Sequence, residues 1–226
     1  MLNVKNKHCL FLDFDGTLTD VKEKYYELYK TAKTNFGLNI FNKKIYWHYK
    51  TMGCPERNIL LKNNQQAPAM DEYLSFRADH IEDRDYLALD RPIVKQDLLA
   101  KIGNHYDLYI VTMRHNSENL LWELTKMNIC HYFKQIICRS NLTTRDIEIH
   151  DEIDQKTKLL KSCQPFQQKD ILIGDTGLDY NVGQRLKLKT FLVYSGIRQK
   201  KVLLCGHIPG NILYKNINDI LKKLCK

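Results

Sequence analysis

The sequence predicts an α/β protein, a doubly wound parallel sheet interrupted by a helical insert. Three observations carry this. Short apolar runs alternate with segments of helical periodicity along most of the 226 residues, the pattern of a parallel sheet covered on both faces. The apolar runs lack strict alternation, as expected for strands buried on two sides. From about Asp20 to Leu89 the alternation stops and the pattern is helical throughout.

The first strand is His8–Phe14, whose apolar run ends in Asp13-Phe14-Asp15-Gly16-Thr17. Asp20-Val21-Lys22-Glu23 has the form of an N-cap followed three residues later by a glutamate, a capping box. Tyr25, Leu28, Tyr29, Ala32 and Phe36 then keep helical spacing until Gly37 closes the helix. Pro55 and Pro68 mark further boundaries, and Arg91-Pro92 punctuates the return to the sheet. An insert of about seventy residues, 19–89, therefore divides a core made of residues 1–18 and 90–226. In the core, the expected strands are Tyr106–Thr112, Gln135–Cys138, Asp170–Gly174 and Thr190–Tyr194. The expected helices are Ile93–Ile102, Glu118–Met127, Lys156–Ser162 and Leu178–Leu186, with Gly103 and Asn128 at C-cap positions.

Bulk composition narrows the class. Hydrophobic residues at 43% and charged residues at 27% are ordinary for a soluble globular protein. No apolar stretch is long enough to span a bilayer, and the first apolar run is too short, and broken by Asp13, for a signal peptide. A cytoplasmic location is expected, without membrane association. Seven cysteines, odd in number and without a Cys-x-x-Cys pair, signal neither a disulfide framework nor a zinc site. The formal charge of +9 is spread along the chain and reads as a lysine-rich solvated surface. A nucleic-acid partner is the weaker alternative, with Arg198-Gln199-Lys200-Lys201 as the tightest basic cluster.

The chemistry is concentrated at strand ends. Two buried carboxylates at the end of one strand are costly unless a cation pairs with them. A hard divalent metal such as magnesium is the simplest such cation. Tyr106–Thr112 ends in a hydroxyl, Ile171–Asp179 ends in carboxylates beside glycines, and Gln155-Lys156-Thr157-Lys158 opens a helix with ammonium groups. In a parallel sheet these groups collect at one edge, where ligands bind.

These motifs resemble those of the haloacid dehalogenase-like hydrolase superfamily, in its phosphoglycolate phosphatase-like branch with a helical cap of the first type. Asp13-Phe14-Asp15-Gly16-Thr17 resembles the first motif, Thr112 sits at the second, the lysine near 156 resembles the third, and Gly174-Asp175-Thr176-Gly177-Leu178-Asp179 resembles the fourth. The third departs from the usual Lys-Pro, so Lys156 and Lys158 both stay in play. The tail from Ser195-Gly196-Ile197-Arg198 to Pro209 is also similar to that branch. The resemblance implies a Rossmann-like core with an inserted cap and a Mg2+-dependent phosphatase acting on a small phosphorylated metabolite. It implies Asp13 as nucleophile, Asp15 as acid and base, and Thr112 and Lys156 on the phosphoryl oxygens. Magnesium would lie on Asp13, the Asp15 carbonyl and Asp175, with Asp179 supporting the metal or the lysine.

Several residues have competing readings. Arg114 could reach phosphate, but an exposed loop arginine is the simpler expectation. Asp146, Glu148, Asp151, Glu152 and Asp154 read as a solvated acidic loop, and Trp47 and His48 as packing residues. Asp15 disfavours a dehalogenase, and no cap lysine can be assigned for a phosphonatase. A sugar phosphomutase stays open through Met52-Gly53-Cys54-Pro55-Glu56-Arg57, with Arg57 as a substrate contact. A binding or regulatory module for nucleic acid or a 3′-phosphate end is the alternative of a different class.

Overall fold

The computed structural model describes residues 7–64, 68–142, 151–163 and 166–226. Asp146 and Glu148 of the acidic stretch lie outside the described residues. A six-stranded, wholly parallel sheet forms the centre, in the order β5-β4-β1-β6-β7-β8. Its strands are β1 (His8–Leu12), β4 (Tyr106–Val111), β5 (Gln135–Ile137), β6 (Ile171–Gly174), β7 (Lys189–Val193) and β8 (Leu213–Tyr214). The chain winds outward through β4 and β5, then returns to the other side of β1 for β6, β7 and β8. The order thus reverses about β1, and an open α/β sheet binds ligands at such a reversal.

Helices α6 (Gln96–Gly103), α7 (Ser117–Lys126) and α11 (Ile217–Leu224) cover one face; α8 (Glu152–Lys161) and α9 (Gly177–Arg185) cover the other. The two-residue period of β1 sends Leu10 and Leu12 to the first face and Cys9 and Phe11 to the second, all fully buried or nearly so. Removing one such side chain, as in Leu10→Ala, costs about 2–5 kcal/mol. The short helix α10 (Lys200–Cys205), with β8 and α11, completes the C-terminal part that the apolar pattern did not predict.

Between the short antiparallel strands β2 (Thr19–Asp20) and β3 (Arg91–Pro92), every described element is helical: α1 (Lys22–Thr34), α2 (Lys43–Thr51), α3 (Glu56–Leu61), α4 (Pro68–His80) and α5 (Arg84–Leu87). These helices have a separate apolar cluster that includes Tyr29, Tyr46, Ile59, Met70 and Tyr73. The Tyr29 and Tyr46 rings stack at 4.2 Å.

Several boundaries differ from the sequence expectation, each for a local reason. Asp20 does not box α1. It lies in the β2–β3 ribbon, Val21 is the N-cap, and Glu23 pairs with Lys43 instead. The helix expected from Ile93 begins at Gln96, because the Ile93 and Val94 N–H groups donate to the Leu18 carbonyl. Gly103 is the last residue of α6 and Asn104 its cap, whereas Asn128 does take the left-handed conformation after α7 (φ 54°). The helix expected from Lys156 starts at Glu152, capped by the Asp151 carboxylate on the Ile153 N–H.

Asp170 fixes the start of the sheet. It is fully buried, and its two oxygens accept the Cys9 and Gln167 N–H groups at 2.7 Å each. Asp170→Ala leaves the buried Cys9 N–H unmatched and should lower stability by about 1–3 kcal/mol in urea titration, with Asp170→Asn milder.

Candidate active site

Three strands deliver the site residues as they end. Asp13 follows β1, Thr112 follows β4 and Asp175 follows β6. The Asp13 N–H extends the ladder to the Ile173 carbonyl at 2.8 Å, and the Thr112 N–H to the Ile137 carbonyl at 3.0 Å. All three are buried.

Asp13 Oδ1 accepts Lys156 Nζ at 2.6 Å, and Oδ2 accepts the Thr17 hydroxyl at 3.2 Å. Lys156 also donates to Asp179 Oδ1 at 2.6 Å and is 1% exposed. Burial works against the ammonium, but Asp13 and then Asp179 outweigh it and hold the lysine above its ordinary range. The same burial pushes the Asp13 carboxyl up to about 7, with Lys156 pulling the other way. Lys156 thus reaches Asp13 from within the second turn of α8, while Lys158 is outside the residues lining the cavity described below. Asp179 Oδ2 is held by the N–H groups of Asp175 and Thr176 and by the Thr176 hydroxyl, so this carboxylate closes a capping box at the start of α9 while it holds the lysine.

Asp15 sits in a different field. Arg114 grips it with a fork, Nε to Oδ2 and Nη2 to Oδ1 at 2.7 Å each, and Lys24 Nζ adds 3.1 Å to Oδ1. Burial opposes the charge, yet Arg114 and then Lys24 hold this carboxyl well below the usual range. Arg114 is therefore no exposed loop residue: 5% exposed, it is buried because Asp15, Asp90 (3.3 Å) and Glu123 (3.1 Å) surround its guanidinium. Lys24 in turn contacts Asp90 Oδ2 at 2.6 Å. With two cations among three carboxylates, burial pushes Asp90 up and Glu123 up to about 8.

Sequence reading missed Lys24, Asp90 and Glu123. The available signal was a charged residue on an apolar stripe: Lys24 lies one turn before Leu28, and Glu123 three residues after Leu120.

Carboxylate oxygens of Asp13, Asp175 and Asp179 lie within 4.8 Å of one another. Asp15's carboxylate is outside this cluster because Arg114 and Lys24 occupy it, which leaves only its carbonyl for the role that the resemblance implies. Burial and then Asp13 push Asp175 well above the carboxylate range. Its position is tightly fixed. Oδ2 accepts the Ile197 N–H at 2.6 Å, and a Cβ on Gly16 or Gly196 would come within 2.2 or 2.3 Å of that oxygen. Gly16 also has φ +80°. An all-oxygen donor set with one lysine among three carboxylates fits a hard divalent cation such as magnesium.

These residues face a cavity of about 530 Å³ whose other wall is the helical insert, through Lys24, Tyr25 and Arg77. Glu152 lines it too, so one member of the acidic stretch faces the site, while Asp154 pairs with Arg185. Arg57 does not line it. It pairs with Asp71 on the exposed side of α3. Trp47 and His48 line a separate, larger cleft of about 1000 Å³ that contains none of these aspartates.

A buried carboxylate with a lysine on its oxygen and an acidic cluster beside it thus gather where the strand order of a parallel α/β sheet reverses. The chain belongs to the haloacid dehalogenase-like hydrolase family, whose model matches residues 10–193. At the sequence level no curated protein matches. Solved structures share the fold. A haloacid dehalogenase-like family hydrolase from Streptococcus pneumoniae is 19% identical with a TM-score of 0.70, covering 96% of this chain and 98% of its own. A predicted phosphoglycolate phosphatase from Haemophilus somnus is 16% identical with a TM-score of 0.70, covering 97% and 99%. A HAD-family protein from Bacillus subtilis, solved bound to magnesium and described as showing interdomain movement, is 17% identical with a TM-score of 0.62, covering 97% and 99%.

The lysine geometry makes a direct prediction. Lys156→Ala strands two buried carboxylates and should cost about 3–5 kcal/mol. Lys158→Ala should cost under about 1 kcal/mol. Urea titration of the two variants checks the difference.

Proposed function

We propose that the chain is a magnesium-dependent phosphatase that hydrolyses a small phosphomonoester through a phosphoaspartyl intermediate on Asp13. The observation that carries this reading is Asp13 at the end of the central strand, with Lys156 on one oxygen and Asp175 beside it, facing the cavity between core and insert. A cavity of about 530 Å³ suits a metabolite-sized ligand. In this reading residues 19–89 act as a cap that excludes water and selects the substrate. The interdomain movement described for the Bacillus subtilis protein supports such a role. Seven free cysteines suit a reducing cytosol.

Asp13, Asp175 and the Asp15 carbonyl would hold the magnesium, with Asp179 beside them. When bound, it neutralises charge between the phosphate and the carboxylates. An Asp13 oxygen attacks phosphorus and the bond to the alcohol oxygen breaks. That oxygen takes a proton from the Asp15 carboxyl. In the second half, Asp15 takes a proton from water as the water attacks phosphorus, and Asp13 leaves as a carboxylate. Lys156 and Thr112 hold the phosphoryl oxygens, each contact contributing about 10²–10³ in rate.

Arg114 and Lys24 together occupy both Asp15 oxygens. This arrangement suits the base half of the cycle. The acid half requires one donor to withdraw, and Lys24, carried by α1 of the insert, is the one that cap movement would remove.

The test is hydrolysis of an aryl phosphate series with and without magnesium. Wild type should require the metal, and Asp13→Asn should lose at least about 10³-fold. Equal residual activity in the two proteins would sink the nucleophile assignment. Asp15→Ala should slow poor leaving groups most, which steepens the dependence of rate on leaving-group pKa. An unchanged slope would remove Asp15 from the acid role.

A further inference from the structure

The insert wall of the cavity holds an arginine that nothing in the phosphoryl chemistry uses. Arg77, on α4, has a side chain only 16% exposed. Its Nε is buried without a hydrogen-bond partner, and its nitrogens make no hydrogen bond among the described residues. Its one close ionic neighbour among the described residues is Glu56, with Nε 3.7 Å from Oε2, beyond hydrogen-bond length. Glu56 is already satisfied. It accepts the Tyr46 hydroxyl at 3.2 Å, the Tyr73 hydroxyl at 3.1 Å and Lys50 Nζ at 3.2 Å. Lys50 and Arg77 thus share the one glutamate charge, and the group keeps a net positive charge inside the insert.

That charge is held in place and faces the cavity. The guanidinium lies 5.3 Å from the centre of the Tyr25 ring, an arrangement that fixes its plane. Arg77 and Tyr25 line the same cavity as Asp13, Lys156 and Asp175. The Tyr25 hydroxyl also makes no hydrogen bond among the described residues. From the opposite wall, Arg139 faces the cavity, its side chain in no ion pair or hydrogen bond among the described residues. A buried donor without an acceptor is costly, and native structures rarely keep one without a use. A guanidinium fork is shaped for a planar or tetrahedral oxyanion.

We propose that Arg77, with the Tyr25 hydroxyl, forms a cap-side subsite for a second oxyanion of the substrate, so that the preferred substrates are phosphomonoesters carrying a further carboxylate or phosphoryl group. This rests on the phosphatase reading of the same site and narrows it to a substrate class. The phosphoryl group that reacts is held by the core, and the second anion is read by the insert.

Two measurements separate this proposal from the reading beneath it. The first needs no turnover. Calorimetric titration of the full chain, in magnesium, compares ethylphosphonate, 3-phosphonopropionate and ethane-1,2-bisphosphonate. Wild type should bind at least one of the two-anion probes ten or more times more tightly than ethylphosphonate, and which of them is favoured tells carboxylate from phosphoryl. Arg77→Gln should reduce that ratio at least tenfold. Arg77→Lys keeps a charge beside Glu56 but not the fork, and should retain only part of the ratio. It also serves as the variant of choice should the glutamine form melt early. Equal binding of the three probes by wild type, binding of none, or a ratio unchanged in a folded Arg77 variant would each overturn the subsite. The second measurement is kcat/KM for 4-carboxyphenyl phosphate relative to phenyl phosphate. A ratio that stays constant between wild type and Arg77→Gln would show that Arg77 only packs on Tyr25. Failure to hydrolyse any phosphate while the binding preference persists would count against the phosphatase reading and leave the subsite standing.

Discussion

The structure is organised around carboxylates that leave buried strands with too few cations nearby. A buried charge is tolerable only when paired, and removing one member of a buried pair costs several kcal/mol. Asp13 and Asp15 are two residues apart and meet this constraint in opposite ways. Asp13 shares a single ammonium with Asp179, and burial prevails, so its carboxyl rises to about 7. Asp15 takes an arginine fork and a second ammonium, and its carboxyl is held down. Two carboxylates with pKa values driven apart are suited to different tasks.

That division reaches well beyond the site. To hold Asp15, the fold places Arg114 after β4 and carries Lys24 in from the insert. It then balances them with Asp90 at the return from the insert and Glu123 on the buried side of α7. The electrostatics of one catalytic-type carboxylate therefore tie together the sheet, the insert and both crossings between them. Around Asp175 the constraint is steric. Gly16 and Gly196 press so closely on Asp175 that no side chain fits at either position, and a backbone N–H from Ile197 completes the grip.

How much of this was legible depends on where each partner lies in the chain. Asp13, Thr112 and Asp175 were readable because each ends an apolar run, and in a parallel sheet such ends converge. Lys156 was readable as a candidate but not its rank over Lys158. The helix begins four residues earlier than its apolar pattern, and the choice depends on which turn of α8 faces β1. The Asp15 cage was not readable. Its contacts join residues 99 apart for Arg114 and Asp15 and 24 apart for Arg114 and Asp90. A single sequence shows such residues only as isolated charges, and Arg114 in particular looks like any loop arginine. Arg57 failed the opposite way: a local motif suggested a role, yet α3 turns it outward to Asp71.

The insert meets the core through Glu82, which accepts the His115 and Asn116 N–H groups at the start of α7, and through two further clasps of unequal strength. One clasp is polar and partly solvated: Gln199 donates to the Thr51 hydroxyl at 2.8 Å, and Arg198 to the Lys50 carbonyl at 3.2 Å. Hydrogen bonds of this kind contribute about 1 kcal/mol each and exchange readily with water. The other is Lys24, 1% exposed, between Asp15 and Asp90. Breaking it strands buried charge unless a ligand or water replaces the ammonium. A substrate phosphate cannot replace it, being an anion. It can, however, repel Asp15 and Asp90 while drawing Lys24 toward itself, and so lower the cost of breaking the clasp. Opening and closing of the insert would then depend on the charge in the cavity more than on the apolar contacts around it. The same helix that carries Lys24 also carries Tyr25, so a shift of α1 changes the grip on Asp15 and the cap-side wall together.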